Sequence, residues 1–177
     1  EITYGDWSSD VCSSDLGKEN SGFGYLMQEL ISTRLSAAAG AVGTCQAALD
    51  ESIKYATERN QFGKPIAEYQ MVQEVIARMV AETEAARALV WRCAIQKDKG
   101  LINNNRETVL AKYYACKAAD EVPNLALEVL SAYGYSNEYP IARILRDGKV
   151  YKILEGATNI MKMILATDAL GIKKANR

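Results

Sequence analysis

The chain has 177 residues, 49% hydrophobic and 24% charged, a length and balance that suit one domain with a substantial apolar core and exclude a disordered or fibrous chain. Lys plus Arg total 21 against 22 Asp plus Glu, a formal net charge of -1 with no basic tail, which is a poor match to nucleic acid or an anionic membrane. His is absent, so His-dependent triads, imidazole proton shuttles and mixed His/Cys metal sites drop out, and acid-base chemistry falls to carboxylates, Lys, Tyr or Cys.

Residues 1–16 differ from everything after them. The string Trp7-Ser8-Ser9-Asp10-Val11-Cys12-Ser13-Ser14-Asp15-Leu16 repeats Ser-Ser-Asp without helical or strand period, cannot bury a face, and reads as a disordered or non-native leader. It resembles translated adapter sequence and is set apart from the fold, which is assigned to residues 17–177.

From Gly24 to Thr57 the apolar positions Leu26, Leu30, Ile31, Leu35, Ala38, Val42, Cys45, Leu49, Ile53 and Ala56 recur every three or four residues, predicting one long amphipathic helix. In its middle, Ala37-Ala38-Ala39-Gly40-Ala41 lacks bulk and invites close approach by a neighbour. Gln61-Phe62-Gly63-Lys64-Pro65-Ile66 breaks the pattern, because Gly63 and Pro65 both oppose a continuing helix. A second helix then runs to about Lys99, with Val72, Val75, Ile76, Met79, Val80, Thr83, Ala86, Val90 and Cys93 on one side and Gly100 as its stop.

Asn103-Asn104-Asn105 reads as a turn, and a third helix from Glu107 to Tyr133 carries Leu110, Tyr114, Val122, Leu125, Ala126, Val129 and Leu130. Pro123 inside it is expected to kink or divide it. Gly134 to Tyr139 reads as a loop, Pro140 starts a short helix through Leu145, and Arg146-Asp147-Gly148 closes it. A last helix follows Leu154-Glu155-Gly156-Ala157-Thr158 and carries Ile160, Met163, Ile164 and Leu170 as far as Gly171. No alternating pattern of useful length appears, so the fold class is all-α, an antiparallel four-helix bundle in which Val42, Leu49, Ile76, Val80, Leu110 and Val129 are buried.

The cysteines Cys12, Cys45, Cys93 and Cys116 form no Cys-x-x-Cys pair, and three stand among apolar residues. They read as buried thiols of a reducing compartment. No apolar run approaches the roughly 18 residues that span a bilayer and no signal pattern opens the chain, so a soluble cytoplasmic protein is expected.

Two charged residues stand at helix ends. Arg59, near a helix C-terminus, is explained most cheaply as a cation facing the helix dipole, and more sharply as a clamp for phosphate or carboxylate. Glu155 precedes a helix whose first amides are free, so it serves either as a cap or, beside the flexible Gly156, as a carboxylate pointing at a ligand. Tyr113, Tyr114, Tyr133, Tyr135, Tyr139 and Tyr151 read as packing rather than a stacking platform.

Taken together, Thr33-Arg34, Glu58-Arg59-Asn60-Gln61-Phe62-Gly63-Lys64-Pro65-Ile66, Gln70, Gly134-Tyr135, Glu138-Tyr139-Pro140, Arg146-Asp147 and Glu155-Gly156 resemble the C-terminal helical domain of the acyl-CoA dehydrogenase family, in order and at family spacing from Gly17 to Arg177. The resemblance implies a flavoprotein in which an N-terminal helical domain and a middle β-domain precede this bundle, so that the chain reads as a fragment, inactive alone. It further implies that Glu155 removes the Cα proton of an acyl-CoA thioester while the Cβ hydride passes to N5 of FAD. Thioester and flavin contacts acidify that proton, and exclusion of water raises the basicity of the base.

In some relatives the base comes from the first helix instead, at the position held here by Thr33, whose hydroxyl cannot do that work. By the same resemblance Arg59 and Gln70 contact the FAD of a partner subunit, Gly156 contacts substrate, Thr158 and Asn159 meet the flavin, and Arg34 lines the CoA channel. Glu128 and the pair Ser131-Ala132 occupy cofactor-binding positions where the family usually has Gln and Gly-Gly, and Ala157 stands for Thr; lost donors and an added negative charge would weaken FAD binding.

Implied partners are acyl-CoA, a homo-oligomer (dimer or tetramer) and an electron-transfer flavoprotein or similar acceptor, with no metal. The stretches Ser131-Ala132-Tyr133-Gly134-Tyr135 and Ile31-Ser32-Thr33-Arg34-Leu35 and the ending Lys174-Ala175-Asn176-Arg177 are most similar to glutaryl-CoA dehydrogenases of anaerobic bacteria. Two other readings stay open: a non-enzymatic helical oligomerisation module, and a family member with degenerate flavin contacts.

Overall fold

The computed structural model describes residues 17–101 and 105–172. The leader with Cys12, the Asn103-Asn104 turn and the C-terminal Lys174–Arg177 ending lie outside the described residues. Helix α1 spans Gly22–Glu58, α2 Gln70–Asp98, α3 Asn105–Leu130, α4 Ala132–Tyr135, α5 Ile141–Val150 and α6 Thr158–Ala169. Between α1 and α2 a hairpin pairs β1 (Asn60–Gln61) with β2 (Lys64–Pro65), and a 3-10 turn covers Ile66–Glu68. The strands are two residues each, so the all-α class stands.

Side-chain contacts fix the directions of the helices. Ser32 meets Lys97 and Gln46 meets Arg87, so α2 runs antiparallel to α1. Arg78 pairs with Glu121 and Arg92 with Glu107, so α3 runs antiparallel to α2 and parallel to α1. Arg106 pairs with Asp168 at 2.8 Å, which brings α6 back along α3 as the fourth member of the bundle. Helices α4 and α5 pack at the side, α5 against both α3 and α1.

The core is built from small and medium side chains. Ala38, Ala41, Cys45, Ala48 and Ala56 of α1 face Ala115, Ala118, Ala119, Val122 and Ala126 of α3, all fully buried or nearly so, and the scarcity of bulk lets these two helices pack along their lengths. The small-residue run does receive a neighbour, because the Tyr151 hydroxyl stands 2.8 Å from where a Cβ on Gly40 would lie.

Burial corrects the expected core at three places. Val42, Leu49 and Val129 are buried, but Val80 is 41% exposed, and Ile76 and Leu110 are half-buried. The buried stripe of α2 is Met79, Thr83, Ala86, Val90 and Cys93, one narrow seam at three- and four-residue spacing that leaves Val80 on the flank.

Pro123 does not divide α3, which runs through it as one element. Proline lacks the N–H that would bond the carbonyl four residues back, and Gly148 of α5 comes so close to that Ala119 carbonyl that a Cβ there would collide with it. Helix α5 continues through Gly148 to Val150 rather than closing at Leu145; α3 ends at Leu130 rather than Tyr133, and the short α4, Ala132–Tyr135, takes up the end of the expected helix and the start of the expected loop. Among the described residues no helix is long and apolar enough to cross a membrane.

Candidate active site

Glu155 and Gly156 lie in the turn between α5 and α6, with φ of 54° and 107°. The first is uncommon for a residue with a Cβ and costs on the order of 1 kcal/mol, so the surroundings must hold it. Three hydrogen bonds do so. Thr33 Oγ1 of α1 donates to Glu155 Oε2 at 2.6 Å, and Arg34 Nε, one residue on, donates to the Glu155 carbonyl at 3.2 Å. Lys112 Nζ of α3 donates to the Gly156 carbonyl at 2.5 Å.

Both cations are removed from water, Arg34 at 7% exposure and Lys112 at 0%. Burial pulls the Arg34 pKa below its ordinary value, against the attraction of Glu155. Burial also lowers that of Lys112; the nearby Arg34 lowers it too, while Cys116 and Glu155 pull it up. The carboxylate is half-buried and faces a short, charge-assisted donor, the geometry of a fixed acceptor.

The capping reading of Glu155 is overturned. Helix α6 has Ala157 at its N-cap with no side-chain hydrogen bond, and the carboxylate reaches across to Thr33 instead. Thr158 N and Oγ1 turn back to the Lys152 carbonyl at 3.1 and 3.2 Å, and Asn159 is exposed. Gly156 is enclosed: an added Cβ would stand 2.8 Å from Met161 Cε, and its φ disfavours any side chain. Arg34, Glu155, Gly156, Thr158 and Asn159 therefore sit together at one end of the bundle.

The other expected residues collect at the far end. Arg59 is the C-cap of α1, so its helix-dipole position is real, and its guanidinium also lies over the Tyr133 ring at 5.5 Å. Its carbonyl accepts from Ile66 N at 2.8 Å, closing the hairpin whose tip residues Phe62 and Gly63 both have positive φ, as a two-residue turn requires. Gln70 opens α2 and is exposed, as are Glu128, Ser131 and Ala132 near the end of α3. Ser131 holds φ 54°, strain that a glycine there would relieve.

Tyr55, Tyr133 and Tyr139 form a ring cluster with centroids 5.4 to 6.2 Å apart. With Glu58 and Arg59 they line a cavity of about 230 Å³. Along α1, Arg34 and Arg59 are separated by about 37 Å of helix, so the two groups form two sites and not one.

Three features escaped the sequence reading: the Thr33 contact, the buried Lys112, and Phe62, which is 94% exposed at the hairpin tip. Lys112 had a signal, because it stands at helical spacing with the apolar Val109, Cys116 and Ala119. Among the described residues no group of three or more Cys, Asp or Glu could hold a metal ion.

The acyl-CoA dehydrogenase C-terminal domain model matches residues 20–170. A glutaryl-CoA dehydrogenase of Desulfococcus multivorans is 52% identical over 162 residues, covering 92% of this chain and 42% of that protein. A caffeyl-CoA reductase-Etf complex subunit, CarC, of Acetobacterium woodii is 40% identical over 151 residues, covering 85% of this chain and 40% of that one. The solved structure of a glutaryl-coenzyme A dehydrogenase in complex with glutaryl-CoA superposes with a TM-score of 0.86 at 52% identity, over 91% of this chain and 41% of that chain. The chain thus spans about two fifths of the length of these relatives. Its bundle, its order of motifs and these matches agree: the chain belongs to the acyl-CoA dehydrogenase family and carries that family's C-terminal domain.

Proposed function

We propose that the protein is an acyl-CoA dehydrogenase in which this domain supplies the base, Glu155, and part of the FAD site. The observation that carries the reading is the Glu155 carboxylate itself, which leaves α6 uncapped and is held at 2.6 Å by Thr33 Oγ1 of α1. A carboxylate that is half-buried, held from another helix at a cost in backbone strain and not used as a cap suits general-base work.

In this reading Glu155 takes the α-proton of the thioester on its carboxylate, with Thr33 fixing one oxygen and leaving the other to receive it. Bound FAD supplies the acceptor for the Cβ hydride. Gly156 contacts the substrate through its backbone, and Arg34 stands at the CoA channel. Thr158 and Asn159 face the flavin from the start of α6.

The residues at the far end fit a nucleotide. Arg59 offers a forked donor to phosphate beside the aromatic rings that line the cavity with it, and Gln70 at the start of α2 and Ser131 and Ala132 just past α3 are exposed. Glu58 and Glu128 add negative charge there, which opposes an anionic cofactor. Because the two ends are farther apart than one extended FAD reaches, the Arg59 end serves the FAD of a second subunit, and the working enzyme is a homo-oligomer, a dimer or tetramer. An electron-transfer flavoprotein takes the electrons, as the name of the Acetobacterium relative suggests.

The test is isolation of the full-length protein and anaerobic titration with glutaryl-CoA and butyryl-CoA. Oxidised-flavin absorbance that bleaches with an acyl-CoA supports the reading. A protein that stays colourless after incubation with FAD contradicts it and favours a helical oligomerisation module.

A further inference from the structure

Lys112 is a fully buried cation with no part in the reaction just described. A lysine inside an apolar stripe carries a desolvation penalty that a Met of similar length would avoid, and its Nζ donates to the Gly156 carbonyl. The adjacent carbonyl, that of Glu155, takes Arg34 Nε from a different helix. Two cations on two helices thus grip two successive carbonyls of a turn whose residues both have positive φ, while Thr33 grips the side chain between them.

We propose that Lys112 is a positioning residue for the Glu155 carboxylate: by anchoring the Gly156 carbonyl to α3 it locks the turn that sets where the base stands relative to the substrate Cα. The proposal rests on the assignment of Glu155 as the base and adds α3 to the machinery. A turn held from α1 alone could pivot about the Arg34 and Thr33 contacts, since Gly156 imposes little torsional restraint of its own. The second anchor removes that pivot. A displacement of the base of about 1 Å is enough to slow proton transfer by about 100-fold, so the anchor acts mainly on rate; of the groups assigned to acyl-CoA binding it touches the Gly156 carbonyl and no other.

The experiment uses the full-length enzyme with Lys112→Met, Lys112→Arg, Glu155→Gln and Glu155→Asp, the last also combined with Lys112→Met, measuring the single-turnover rate of flavin reduction, the dissociation constant for acyl-CoA and the melting temperature. Lys112→Met is expected to slow reduction by about 10- to 100-fold with acyl-CoA affinity within about twofold of wild type. Lys112→Arg, which keeps a cationic donor, is expected to recover at least about tenfold of that loss. A general structural defect would weaken binding in parallel with rate and would follow the melting temperature. In a Glu155→Asp background, where the carboxylate is already withdrawn, Lys112→Met should cost less than about threefold, because the two residues act as a unit.

Lys112→Met reducing its flavin at the wild-type rate, while Glu155→Gln abolishes reduction, overturns the positioning role and leaves the base assignment standing. Wild-type rates in both variants overturn the base assignment itself. Should Lys112→Met fail to fold, Lys112→Gln carries the same comparison: slowed reduction at unaltered affinity supports the proposal, and a wild-type rate overturns it.

Discussion

Thr33 and Glu155 are 122 residues apart in sequence and 2.6 Å apart in space, joined by a hydrogen bond from the hydroxyl to the carboxylate. In the family resemblance these are the two alternative seats of the base, one on the first helix and one before the last. Here they converge on one point, and the hydroxyl donates to the carboxylate proposed as the base. Thr33 Oγ1 also stands 3.3 Å from the Glu29 carbonyl of its own helix, a longer contact than the one to Glu155.

Thr33→Val, which keeps the shape and removes the donor, is therefore expected to slow flavin reduction in the full-length enzyme by about 3- to 10-fold, the scale of one hydrogen bond of about 1 kcal/mol. Stopped-flow reduction at saturating acyl-CoA checks it. An unchanged rate would show that Arg34 and Lys112 suffice to hold the turn.

Gly148 faces the carbonyl that Pro123 leaves without its helical donor. Gly148→Ala gains about 1 kcal/mol of helix propensity but drives a methyl into a backbone oxygen that cannot swing aside, and overpacking of that kind costs about 1–3 kcal/mol or more. The steric term wins, and urea denaturation is expected to show a net loss of about 2 kcal/mol. A variant more stable than wild type would mean that α5 can slide off α3 freely.

Asp120 of α3 pairs with Lys149 and with Lys152, the latter at 2.8 Å. Burial raises its pKa, yet hydrogen bonds from the two lysines and then their charges outweigh that and leave it below the ordinary carboxylate value. A depressed folded pKa contributes stability that is present above the unfolded value of about 3.9 and is lost as pH falls through the lower folded value. Asp120→Asn is expected to cost about 1 kcal/mol or less at pH 7, since the lysines are half in solvent. Its difference from wild type should close as urea midpoints are taken below about pH 4. A gap as large in acid as at pH 7 would assign it to packing of the amide.

Arg59→Ala is expected to weaken FAD retention in the full-length protein by about 1–3 kcal/mol, the scale of a charge-assisted hydrogen bond. Flavin content after gel filtration measures it. An unaltered content would return Arg59 to its place at the end of the α1 dipole and its Tyr133 contact.

The long helices were legible because their signals are local: periodicity over Leu26 to Ala56, the break at Gly63 and Pro65, the stop at Gly100. Val80 was misjudged because hydrophobicity alone does not say how wide a buried seam is, and in α2 the seam is filled by Met79, Thr83 and Ala86. Pro123 was expected to interrupt α3, but the loss of one helical bond is met by tertiary packing from Gly148, a partner 25 residues on that no local pattern reveals. The candidate site was legible in its residues, Glu155, Gly156 and Arg34, only through the family motifs. What holds Glu155 was not, since Thr33, Arg34 and Lys112 come to it from two helices far away in sequence.

The central claim is that Glu155 is the base, and Glu155→Gln in the full-length enzyme tests it most directly, since the amide keeps size and hydrogen bonding but cannot take the proton. Anaerobic mixing with acyl-CoA should find flavin and substrate still bound and reduction slowed by at least about 10²–10⁴-fold, the contribution of a general base. A Glu155→Gln enzyme that bleaches its flavin at the wild-type rate would mean that another group takes the proton, and the assignment would be wrong.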